Sequence, residues 1–162
     1  MHIKGLVHED FIQYKKPSMF IATSSCSFKC DKECGMPVCQ NSALANSPTH
    51  SVRNNAIIAS FKDNRITKAI VIGGLEPLDS WSEVAQFVWQ VRASGIKDDI
   101  VIYTGYTEDE ADEKIRALLH GFENLTNIIV KFGRFIPNTE SRYDEVLGVT
   151  LASDNQYAKK IC

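Results

Sequence analysis

Residues 68–95, KAIVIGGLEPLDSWSEVAQFVWQVRASG, join a strand signal to a helix signal with punctuation between them. KAIVIGG is a short, nearly uninterrupted apolar run, the pattern of a strand buried on both faces. After it, Val84, Phe87, Val88 and Val91 recur at helical spacing. Ser80 and Glu83 stand as a capping box before them, and Gly95 sits where a C-terminal cap belongs. The same order recurs in DIVIYTG (99–105) followed by TEDEADEKIRALLHG (107–121). There Thr107 and Glu110 form the capping box, acidic residues crowd the positive end of the helix dipole, and Gly121 follows the last turn.

Working outward, SMFIAT (18–23) and NIIVKF (127–132) read as further strands, IKGLV (3–7) as an N-terminal strand, SVRNNAIIASF (51–61) as helical and LGVTLA (147–152) as a last strand. Strands alternating with helices of about a dozen residues predict right-handed crossovers and a mainly parallel sheet, an α/β fold. In such sheets the chemistry gathers at the carboxyl ends of the strands. That rule brings the loop after SMFIAT, the turn at Gly73 and Gly74, and the turn at Thr104 and Gly105 to one edge.

The 162 residues suit a single domain, 1–162, with a core of its own. Apolar residues at 44%, charged residues at 23% and a net charge of −2 exclude bulk electrostatic binding of nucleic acid or an anionic membrane. MHIKGLVHEDFIQYKK has no secretory pattern, and no run approaches the roughly 18 apolar residues of a membrane span. The expected compartment is the cytoplasm, where thiols stay reduced and clustered cysteines serve metals or catalysis rather than disulfides.

Four of the five cysteines fall in CSFKCDKECGMPVCQNS (26–42), at Cys26, Cys30, Cys34 and Cys39. A structural zinc site normally pairs two knuckles across a longer stretch, and only one piece of chain is present here. Unliganded thiols would want apolar neighbours, yet Lys29, Asp31, Lys32 and Glu33 lie among them. An iron–sulfur cluster takes thiolates from a short loop of this kind, and with three bound it keeps one iron open for a ligand.

Several segments together resemble the radical S-adenosylmethionine (SAM) enzymes, most closely the activating proteins of anaerobic ribonucleoside-triphosphate reductases. FIATSSCSFKC is similar to the family's approach to its cluster loop, GGLEPL (73–78) to its Gly-Gly-acidic-Pro-Leu motif, and YTGYTEDE (103–110) to its Tyr-Thr-Gly-Tyr stretch. IIVKFGRF (128–135) resembles its strand and Gly-x-Phe turn, and SDNQ (153–156) its terminal Ser-x-Asn-Gln, so the likeness covers nearly the whole chain in order. The family places its third cysteine three positions after the second. Cys34 stands one position late, and Cys39 is followed by Gln-Asn, resembling the Cys-Tyr-Asn that ends the family loop. The third ligand is therefore Cys34 or Cys39, with spacing on the side of Cys34.

The resemblance implies a small, incomplete (βα) barrel and a 4Fe-4S cluster held by Cys26, Cys30 and Cys34 or Cys39. It implies SAM bound by Gly73 and Gly74 at its methionine end, Glu76 near its ammonium, and Asn155 and Gln156 closing the site from the last strand. It implies a 5'-deoxyadenosyl radical that activates a glycyl-radical enzyme, an anaerobic ribonucleotide reductase, with flavodoxin or ferredoxin as electron donor. Two alternatives stand beside it: a radical SAM enzyme acting on a small molecule, and a non-catalytic module whose four clustered cysteines hold zinc. Elsewhere, Trp81 and Trp89 are expected to pack on their helix, His2, His8, His50 and His120 to lack ligand spacing, and Lys62, Lys68, Lys131 and Arg134 to be solvated. Cys162 is expected to be a free thiol.

Overall fold

The computed structural model of the chain describes residues 1–123 and 125–162. In chain order the elements are β1 (His2–Asp10), β2 (Ser18–Thr23), α1 (Lys29–Cys34), α2 (Ser42–Ala45), β3 (His50–Ser51), α3 (Asn54–Asp63) and β4 (Ala69–Gly74). A 3₁₀ turn (Pro77–Ser80) then leads into α4 (Trp81–Ala93), β5 (Asp99–Tyr103), α5 (Glu108–His120) and β6 (Ile128–Phe132). The chain ends in β7 (Arg142–Asp144), β8 (Val149–Leu151) and β9 (Tyr157–Lys160). No helix of the described residues is long and apolar enough to cross a membrane.

The central sheet runs β3-β1-β2-β4-β5-β6-β9. Its four middle strands, β2, β4, β5 and β6, are parallel, and the flanking β1 and β9 are antiparallel to their neighbours. The fold is thus α/β with a mostly parallel central sheet. Register aligns Met19, Ile70, Ile100 and Ile128 across the sheet. With Phe87, Val88 and Leu118 from the helices, they form the larger core. Because side chains alternate along a strand, Phe20, Val71, Val101 and Ile129 share the opposite face, where Leu147 and Leu151 cover the lower part.

Several expectations need correction. The Ser80–Glu83 capping box does not form: Glu83 instead accepts from the His2 backbone amide at 2.8 Å and lies 2.6 Å from its ring, while Ser80 Oγ is buried without a partner. LGVTLA is no strand of the main sheet. Its residues 149–151 pair with β7 as a separate hairpin, and β9 is the sheet's last strand. Lys131 and Arg134 are buried rather than solvated, at 6% and 8% exposure. Gly121 has φ −77° and is not a left-handed cap; Gly95, at φ +87°, is left-handed as expected. The Thr107–Glu110 capping box forms as read.

Candidate metal centre

The upper, carboxyl edge of the parallel strands carries a cavity of about 410 Å³ on the sheet face turned away from the helices. The three loops expected there do converge: Cys26, Cys30 and Cys39 line the cavity together with Gly74, Thr104 and Gly105. Phe20, Tyr103 and Lys131 border it from the sheet, residues 149–152 from the hairpin and Gln156 from the turn before β9. Gly73 leaves room for this arrangement, since a Cβ there would stand 3.2 Å from that of Tyr103 and 3.3 Å from the Phe20 ring. Gly74, at φ +81°, turns the chain where a Cβ would meet Ala22 at 2.8 Å.

Cys34 is absent from the lining, and Asp31 accounts for Cys39 being part of it. One oxygen of the Asp31 carboxylate accepts from the backbone amides of both Val38 and Cys39 at 2.8 Å, folding residues 31–39 back on themselves. Sequence reasoning counted Asp31 only as a polar neighbour of the thiols. Burial pushes the Cys26 thiol up to about 11, and raises that of Cys30 as well; the proximity of Cys39 adds to both shifts. Burial thus favours the protonated form of Cys26 and of Cys30. Among the described residues no three His, Cys, Asp or Glu side chains are already gathered as ligands. The donor set still fits a thiolate-bound group: three thiols share one cavity, and a metal binds such groups as thiolates.

Between Cys26 and Cys30 the chain passes through Phe28 in the left-handed region, φ 53° and ψ 41°, a conformation costing roughly 1 kcal/mol or more for a residue with a Cβ. It is held from outside. The Glu76 amide donates to Ser25 O at 2.9 Å, and the Ser27 amide to Asp79 Oδ2 at 2.6 Å. Lys29 reaches Glu110 at 3.2 Å, and Arg134 donates to both Glu110 oxygens at 2.6 and 2.7 Å. Arg134 Nε also lies 3.3 Å from Glu33, close enough for an ion pair but without hydrogen-bond geometry. The Arg134 guanidinium holds Glu110 down at about 2.

Glu76 is 8% exposed and oriented by three donors: Leu78 N at 3.0 Å and Thr104 Oγ1 at 2.6 Å to Oε1, and Gly105 N at 2.8 Å to Oε2. Burial outweighs these bonds and raises its carboxyl. Lys131, whose ammonium donates to Gly133 O at 2.7 Å, is pushed down to about 8 by burial, with Glu76 acting in the opposite sense. Of the two C-terminal candidates, Gln156 borders the cavity and donates to Gly133 O at 3.2 Å. Asn155 turns instead to the Arg134 carbonyl at 2.9 Å. Sequence reasoning missed Lys131, although the period of two in NIIVKF puts it on the face of Ile129.

A family model described as a 4Fe-4S single cluster domain matches residues 17–156, from the start of β2 to the turn before β9. Neither the comparison with curated proteins nor that with solved structures returns a match. The cavity with its three thiols lies within the matched span, and the chain belongs to the family of 4Fe-4S single cluster domains.

Proposed function

We propose that the protein is a radical SAM enzyme that activates a glycyl-radical enzyme, an anaerobic ribonucleotide reductase, using flavodoxin or ferredoxin as electron donor. The observation that carries the SAM reading is the polarity of the cavity. It presents one buried carboxylate, Glu76, and one buried ammonium, Lys131, beside the thiols, the complement of an α-amino-acid zwitterion such as the methionine end of SAM. The open sheet with its site on the face opposite the helices suits an incomplete (βα) barrel. When bound, a reduced 4Fe-4S cluster supplies the electron that splits SAM into methionine and a 5'-deoxyadenosyl radical, which takes a hydrogen atom from a glycine Cα of the partner.

The chain's own residues then have defined tasks. Cys26 and Cys30 hold the cluster, and the fold of the loop around Asp31 supports Cys39 over Cys34 as third ligand. Glu76 meets the ammonium and Lys131 the carboxylate of the amino acid. Gly74 lets backbone approach it, and Gln156 closes the side nearest β9. Asn155 acts one step back, holding the Arg134 carbonyl.

Anaerobic purification with iron and sulfide assay, then reduction in the presence of SAM, should yield 5'-deoxyadenosine. Bound zinc and no cleavage would sink the enzyme reading. Electron paramagnetic resonance with a candidate reductase tests the partner, and cleavage without a glycyl radical on it would redirect the reading to another substrate. Cys39→Ala should abolish the cluster while Cys34→Ala keeps it; the reverse outcome would return the third position to Cys34.

A further inference from the structure

The left-handed turn at Phe28 sits between two cysteines that must face one cavity, and one residue touches both of its flanks. Tyr106 donates its hydroxyl to Asp79 Oδ1 at 2.6 Å, and Asp79 Oδ2 accepts the Ser27 amide on the N-terminal side of the turn. On the C-terminal side, the Lys29 ammonium lies 4.0 Å from the centroid of the same Tyr106 ring. The hydroxyl and the ring thus reach Ser27 and Lys29 independently, with Phe28 alone between them.

We propose that Tyr106 and Asp79 are positioning residues that hold the Phe28 turn so that Cys26 and Cys30 face the cavity together. The proposal rests on those two thiols binding the cluster and not on the activase reading. Left to itself, Phe28 leaves the left-handed region, because its Cβ crowds the backbone there. Pinning the residue on either side leaves it no room to relax. A partner that orients a metal ligand without touching the metal is worth about 10- to 100-fold in affinity. Sequence alone offers no sign of the pairing, since Asp79 and Tyr106 stand on different loops.

Tyr106→Phe removes the hydroxyl and keeps the ring. After anaerobic reconstitution, this variant should lose iron to a chelator about tenfold faster than wild type. Hydrogen–deuterium exchange of the apoprotein should rise over residues 26–30 and stay unchanged over α5. Glycine occupies the left-handed region without steric cost, so adding Phe28→Gly to Tyr106→Phe should restore iron retention. A residue that merely stabilised the fold would give no such rescue. Iron held equally by wild type and Tyr106→Phe overturns the clamp, as does iron loss that Phe28→Gly fails to reverse. A wild-type chain that takes up no iron overturns the ligand assignment itself, and the clamp with it.

Discussion

Gly95 and Gly121 follow two helices of equal length, and the same substitution should act on them for different reasons. At Gly121 the backbone is ordinary, but a Cβ would stand 2.2 Å from the Trp89 ring. That ring is fixed by its own hydrogen bond to Leu118 O at 3.1 Å. Gly121→Ala should therefore destabilise by about 2–3 kcal/mol, an overpacking cost. Gly95→Ala, with open space around it but φ +87°, should cost about 1 kcal/mol from backbone strain. Urea unfolding of the two variants checks the order, and a larger loss at Gly95 would refute the packing account. Both glycines read alike in sequence as helix ends. What separates them is a tryptophan from the neighbouring helix, a contact that no local pattern encodes. Lys131 teaches the same lesson from a strand: its face follows from counting by two, but its burial depends on the cavity around it.

At the scale of elements, the two capping boxes offer an internal control. Thr107 accepts the Glu110 amide and Glu110 reaches back to the Thr107 amide, so Thr107→Ala should cost about 1 kcal/mol. Ser80 occupies the matching sequence position, but Glu83 has gone to His2 and the Ser80 hydroxyl is buried unpaired. Ser80→Ala should be neutral or slightly stabilising, because it removes an unsatisfied polar atom. Equal losses for the two, read from thermal melts, would show that Ser80 caps its helix after all. The four parallel strands, β2, β4, β5 and β6, were legible because each is an apolar run bounded by turn residues. The final strand was not. Tyr157–Lys160 carries two exposed lysines at the sheet's edge, where burial falls on one residue and the pattern vanishes. The apolar LGVTLA drew attention instead, since its residues bury against the face that the helices leave bare.

For the whole molecule, the buried ammonium of Lys131 sets a pH dependence. Its folded pKa, about 8, lies below the ordinary 10.5, so between those values the unfolded chain binds more protons. Lys131's contribution therefore opposes folding below pH 8 and is relieved as pH rises toward 10.5, a swing of about 3 kcal/mol. The raised thiols of Cys26 and Cys30 work in the opposite direction above pH 9. The effect is isolated by subtracting the profile of Lys131→Met from that of wild type across pH 7–11. A flat difference would mean that Lys131 is hydrated in solution. The convergence of loops on one sheet edge was legible from the order of strands and turns. The cavity's charge pair was not, because Glu76 and Lys131 meet only once β4, β5 and β6 are laid side by side.

The contacts that fix residues 25, 27, 29 and 33 come from residues 76, 79, 110 and 134, all later in the chain. On the ribosome the four thiols emerge first and wait roughly a hundred residues for their last anchor, about 5–20 seconds at ordinary rates of synthesis. During that interval the Phe28 turn lacks the contacts that hold it. The loop takes its final shape only after translation has passed Arg134.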